Sequence, residues 1–191
     1  MSLPILQVII ASTRPARIGG AVGAWFLPIA ESHTGFTVER VDLRDIALPL
    51  LDEPNIPMQQ QYEHEHTKRW SETIARGDAY VFVTPEYDFS PPASLLNAIQ
   101  CLAKEWMYKP VGLLSYGGVS AGLRSATQLR IICTANSMMP LPGAVSIPFA
   151  GKLIDKETGV FSPGEVQDKA AAAMLDELVR WERALRTLRV G

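Results

Sequence analysis

At 191 residues the chain fits one hydrophobic core, since single cores serve about 100–200 residues before chains divide. Apolar residues make up 47% and charged residues 20%, which excludes the sparse hydrophobicity and high charge of disorder. A net charge of -2 with no block of Lys or Arg excludes the electrostatic footprint of nucleic-acid binding, and no apolar run reaches the ~18 residues of a membrane helix.

The first residues lack a basic region and run straight into an apolar strand pattern over 5–11, which predicts no signal peptide. The two cysteines, Cys101 and Cys133, stand in apolar, helix-like surroundings, as reduced thiols of a cytoplasmic protein do. Directly behind the first strand comes ASTRPARIGG, residues 11–20, and then a helical pattern over 20–32. The hydroxyls of Ser12 and Thr13 and the chain's N–H groups converge where a helix dipole is positive, and Arg14 and Arg17 add forked donors. This predicts a phosphate site; the alternative is a capped helix start with two solvated arginines. Neither GxxxxGK[ST] nor GxGxxG is present.

His33, at the end of that helix, suggests a cap or dipole contact. A strand over 37–42 leads into segment 44–62, whose three prolines and weak periodicity predict a long ordered loop, either a lid or a surface excursion. A polar helix over 60–76 follows. Near its start YEHEHTK places His64 and His66 two apart with Glu63 and Glu65, but residues two apart do not face together on a helix and HExxH is absent, so no metal is expected.

The strand over 79–84 meets Pro85, after which Tyr87 and Phe89 present aromatic rings at the sheet edge. These rings offer a platform to a flat ligand, or serve as core or partner contacts. Ser90, Pro91 and Pro92 then open a helix over 93–106. A strand over 111–115 is followed by SYGGVSAG, where Gly117, Gly118 and Gly122 permit close ligand approach or simply a flexible turn. A helix over 122–136, a strand over 145–147, an irregular segment over 149–162 and a terminal helix over 163–188 complete the chain.

Continuous apolar runs alternating with helices predict a three-layer α/β/α sandwich in a single domain, 1–191. Five strands fit a flavodoxin-like parallel sheet of order 2-1-3-4-5. Ligands of such sheets lie beyond the carboxyl ends of the strands, where strand order reverses, so the loops 12–19, 85–92 and 115–122 are expected to meet there.

Together these stretches resemble the NADPH-dependent FMN reductase family, flavodoxin-like flavoenzymes with azo-, quinone- and chromate-reducing members. The resemblance runs from about 6 to 149. Ser12, Arg14 and Arg17 match the family's GSxRxxR/S, with Ala11 where glycine is usual. Thr84, Pro85, Glu86, Tyr87, Pro92, Leu96, Asn97, Ala98 and Ile99 match TPEYNxxxPxxLKNAID, and Ser115, Tyr116, Gly117, Gly118, Ser120, Gly122 and Arg124 match SYGGxSGGxR. The resemblance implies an FMN phosphate surrounded by Ser12, Thr13, Arg14, Arg17, Ile18 and Gly19. It implies that Pro85, Glu86, Tyr87, Asp88 and Phe89 follow one ring edge and that Ser115, Tyr116, Gly117 and Gly118 flank the other side. Tyr87 and Phe89 would also shape the substrate pocket.

The implied activity is hydride transfer from NADPH or NADH through the flavin N5 to a quinone, azo compound, free flavin or metal oxyanion, in two steps. The flavin carries the chemistry, so the resemblance assigns no residue as acid, base or nucleophile and no metal. The implied assembly is a homodimer or homotetramer using the helix over 93–106. Asp88 replaces the family's Asn, Leu96 is followed directly by Asn97 where the family has Lys before Asn, and Ala121 replaces a Gly; a carboxylate at position 88 would repel a reduced, anionic ring. Two alternatives stay open: a flavodoxin-like electron carrier, which the nearly balanced charge disfavours, and a fold relative that has lost FMN.

Overall fold

The computed structural model of the chain describes residues 2–189. Ile5–Ile10 (β1), Thr37–Asp42 (β2), Ala79–Pro85 (β3), Pro110–Tyr116 (β4) and Met139–Ile147 (β5) form one parallel sheet of order β2-β1-β3-β4-β5, as expected. Alternation along the strands sends side chains to two cores. Leu6, Val8, Val81 and Val83 pack under helices Gly19–Ser32 (α1) and Glu165–Leu185 (α6). Ile9, Tyr80, Phe82 and Leu113 pack under Glu65–Arg76 (α3), Ala93–Gln100 (α4) and Leu123–Ala135 (α5). A four-residue turn of helix, Leu43–Ile46 (α2), follows β2. On α6 the buried stripe Ala171, Met174, Leu175, Leu178 and Glu182 keeps helical spacing, and Glu182 is paired with Arg186 and Arg189.

Three boundaries differ from the sequence expectation by more than three residues. The helix expected over 93–106 stops at Gln100, and a separate 3-10 turn spans Lys104–Trp106. Packing causes the break: Trp106 enters the core with its ring 5.0 Å from that of Tyr80, and Glu105 accepts the Ala103 N–H. The polar helix begins at Glu65 because Glu53 accepts the N–H groups of Glu63 and His64 at 2.7 and 3.1 Å, ending the loop there. The last strand starts at Met139, six residues early, despite Pro140 and Pro142. β5 is an edge strand, where proline is tolerated, and its register with β4 shifts between Val111 and Leu113. Arg130 donates to the carbonyls of Leu141 and Pro142 there.

The long loop after α2 is pinned rather than loosely draped. The Asn97 side chain accepts from Leu51 N–H at 2.9 Å and donates to the Pro49 carbonyl at 2.7 Å. Glu105, buried, accepts from Gln60, Tyr62 and Ser71. Burial alone would raise the Glu105 carboxyl, but these bonds outweigh it and hold it below the ordinary carboxylate range. His33 ends α1, donating its backbone N–H to the Ala30 carbonyl while its ring meets Asp176 at 3.1 Å.

Candidate active site at the carboxyl edge of the sheet

Strand order reverses between β1 and β3, which brings the loops after β1, β3 and β4 to one edge. In the first loop the Ser12 hydroxyl is buried and shares a 2.6 Å hydrogen bond with the Tyr87 hydroxyl, tying it to the second loop. Arg17 is committed within the fold. Its guanidinium forks onto the Asp42 carboxylate with two 2.6 Å bonds and donates to the Ser12 carbonyl, also at 2.6 Å. Asp42 further accepts from Arg40 and from the Arg44 N–H. Thr13 and Arg14 are exposed, and the Arg14 guanidinium lies 5.4 Å from the Tyr87 ring centroid. Of the two arginines expected at a phosphate, the structure leaves Arg14 open and uses Arg17 as a strut.

α1 begins at Gly19 with Ile18 as its cap residue, no side-chain cap and no acid in its first turn. Its N–H groups and dipole therefore meet no internal anion. The Tyr116 hydroxyl is buried and, among the described residues, has no hydrogen-bond partner. It lies against this helix start, since a Cβ at Gly19 would fall 2.5 Å from it. Burial, then the Tyr87 hydroxyl nearby, push the Tyr116 phenol well above its ordinary value, so it stays protonated as a donor. The resemblance assigned Tyr116 to the ring side; its hydroxyl instead sits beneath the first loop. An uncapped helix start, a donor awaiting an acceptor and a glycine that leaves it room fit a phosphate group.

The second and third loops are clamped together. Glu86 accepts from Ser120 Oγ at 3.0 Å, from the Arg124 N–H at 3.1 Å and from Arg124 Nε at 2.6 Å. Burial would raise the Glu86 carboxyl, yet the Arg124 and Ser120 bonds hold it below the usual range. Tyr87 and Ser90 exchange backbone bonds of 2.9 and 2.8 Å across a turn whose corners are Asp88 and Phe89. In the third loop Ser115 Oγ donates to the Ala121 carbonyl, while the Gly117 and Gly118 carbonyls accept from Ala150 and Phe149. Gly122, at φ 77°, allows this turn to close on Tyr116. Pro85 ends β3, buried, beside Tyr116.

Asp42, Gln128 and Phe149 are absent from the sequence expectation, and no local motif marks them. Their roles come from partners 25 to 39 residues away, or from the β5 exit. His64 and His66 do stack, at 5.2 Å, because His64 precedes the helix and both rings approach Asp52. Among the described residues no cluster of three or more His, Cys, Asp or Glu is placed to hold a metal ion. A cavity of about 530 Å³ lies near Asp78 and Lys109 at the other end of the sheet. Lys109 closes the end of α3 by donating to the Ile74 and Ala75 carbonyls, and burial pushes its ammonium down to about 8.

Known proteins resemble this chain in sequence and in fold. The NAD(P)H-dependent FMN reductase of Schizosaccharomyces pombe is 38% identical over 141 residues, 73% of this chain and 70% of that protein. A quinone reductase of Pseudomonas putida is 30% identical over 165 residues, 79% of this chain and 85% of that protein. The solved structure of FerB, a flavoenzyme NAD(P)H:(acceptor) oxidoreductase from Paracoccus denitrificans, shares the fold with a TM-score of 0.72 at 21% identity, covering 95% of this chain and 98% of that one. The family model of NADPH-dependent FMN reductase matches residues 5–152, so the chain belongs to that family and is an oxidoreductase that uses FMN and NAD(P)H.

Proposed function

We propose that the phosphate of FMN rests on the start of α1, held by its N–H groups, the Thr13 hydroxyl, the Arg14 guanidinium and the Tyr116 hydroxyl. Ser12 and Arg17 shape that loop from behind, through Tyr87 and Asp42. The ring lies between the turn 85–90 and the turn 115–118, with Pro85, Glu86, Asp88, Ser115, Gly117 and Gly118 supplying mainly backbone. Bound FMN supplies hydride acceptance and donation at N5, from NADPH or NADH and then to an acceptor. The chain's own residues bind, orient and exclude water; Glu86 is taken up in pairing and serves as no proton donor. Tyr87 and Phe89 shape the acceptor side, for which a quinone is our reading. The Pseudomonas putida relative named a quinone reductase supports it.

The observation that carries the phosphate placement is the unpartnered, buried Tyr116 hydroxyl at an uncapped helix start. Titration of flavin-free protein with FMN, read by flavin fluorescence, is expected to give about tenfold weaker binding for Tyr116→Phe, the loss of one hydrogen bond to a charged group. Equal affinity for the two proteins would contradict the placement.

A homodimer is proposed as well. Leu50, Leu51, Ile56 and Met58 are exposed apolar residues of a loop whose Pro49 and Leu51 backbone is held by Asn97 of α4, the helix expected at the interface. Light scattering is expected to find twice the chain's mass; a strict monomer with full activity would contradict this. Cys101 and Cys133 are both free, which fits a cytoplasmic setting, and burial pushes their thiols up to about 11 and about 12, so they are unreactive.

A further inference from the structure

Asp88 and Phe89 are consecutive residues in left-handed backbone, at φ 48° and 66°. Aspartate tolerates that region, whereas a bulky residue such as phenylalanine rarely occupies it. Core packing does not compensate here, because Phe89 is 61% exposed and belongs to neither core. The conformation is held from outside the turn by α5. Gln128 Nε2 donates to the Phe89 carbonyl at 2.8 Å, and its Oε1 accepts from Ser90 Oγ at 3.0 Å. One turn earlier on the same helix, the Arg124 guanidinium lies 3.8 Å from the centroid of the Phe89 ring while it pairs with Glu86. Two helix residues four apart thus fix the backbone and one face of a single exposed ring.

Strained residues persist where their surroundings over-determine them, and they cluster at ligand sites. We infer that Arg124 and Gln128 are positioning residues that hold Phe89 as an aromatic platform for a planar electron acceptor of the quinone class. The inference rests on the flavin-reductase reading above. Arg124 covers one face of the ring, so the acceptor stacks on the face that remains. A planar ring gains from such stacking, and a compact ion does not. Selection among acceptors is then set partly by the spacing of two residues on α5 that touch neither cofactor nor acceptor.

The test uses Gln128→Ala and Phe89→Leu, the second removing the ring while leaving the Gln128 bonds to the turn in place. Amide hydrogen exchange at Tyr87 and Ser90, whose N–H groups close the turn, is expected to quicken at least about tenfold in Gln128→Ala, as two hydrogen bonds to the turn are lost. The KM for a naphthoquinone is expected to rise about tenfold by the same arithmetic, while that for ferricyanide stays within about twofold. In Phe89→Leu the naphthoquinone KM is expected to rise likewise, while exchange at Tyr87 and Ser90 stays within about twofold of wild type. Unchanged exchange in Gln128→Ala, or KM values that rise equally for the two acceptors, would overturn the inference. FMN-loaded protein that neither NADPH nor NADH bleaches overturns the underlying reading and this inference with it, whereas bleaching with an unchanged naphthoquinone KM overturns this inference alone.

Discussion

Replacing Asp42 with alanine is expected to destabilise the protein by about 3–5 kcal/mol, the cost of removing one partner from a buried ion pair. Asp42 is 4% exposed and receives both forks of Arg17, whose side chain is 9% exposed. Without the carboxylate the Arg17 guanidinium is left buried and uncompensated, and the Arg44 N–H loses its cap. Arg17 also holds the Ser12 carbonyl, so the first loop loosens and FMN affinity is expected to fall at least tenfold. Arg40→Ala is the control: that side chain is 49% exposed, and an exposed pair is worth about 0–1 kcal/mol. Denaturant unfolding with FMN titration on both variants checks the account. Equal, small losses for the two would show that the Arg17 and Asp42 pair is not the strut described.

Gly122→Val is expected to remove the third loop from the site. The residue sits at φ 77°, and a Cβ there would lie 2.7 and 2.8 Å from the Tyr116 backbone N and O. Backbone atoms cannot swing aside as a side-chain tip does. Left-handed strain of about 1–2 kcal/mol and overpacking of about 1–3 kcal/mol add, and a β-branched side chain stands at the upper end of both. The closing turn that sets Tyr116 under the first loop would be displaced, so stability and flavin retention should fall together. Gly118→Ala meets no atom within 4 Å and is expected to change stability by less than about 0.5 kcal/mol. Unfolding midpoints for the pair decide it; matching midpoints would contradict the argument.

The layers, strand order and three meeting loops were readable because apolar runs such as ILQVII and AYVFVT, buried on both faces, mark a parallel sheet with right-handed crossovers, and five of them suit the order 2-1-3-4-5. The end of α4 was not readable, since nothing local tells that Trp106 is drawn toward Tyr80 and Phe82. Nor was the start of β5, where two prolines argue against a strand until its place at the sheet edge is known. Within the site, ASTRPARIGG raised the expectation of an anion at a helix start, but the different positions of Arg14, exposed, and Arg17, paired, depend on Asp42, 25 residues from Arg17. The Tyr116 hydroxyl likewise crosses from the third loop to the first, a relation that motif order does not carry. Long-range pairs of this kind leave no periodic trace in the chain.

The claim on which the rest stands is that these loops hold FMN where NAD(P)H reduces it. It is tested most directly by the visible absorption spectrum of the purified protein, loaded with FMN and freed of excess, before and after anaerobic NADPH or NADH. The account predicts a bound-flavin spectrum that bleaches with either nucleotide and returns when a quinone is added. A protein that stays colourless after FMN addition, or a bound flavin that neither nucleotide bleaches, would contradict it.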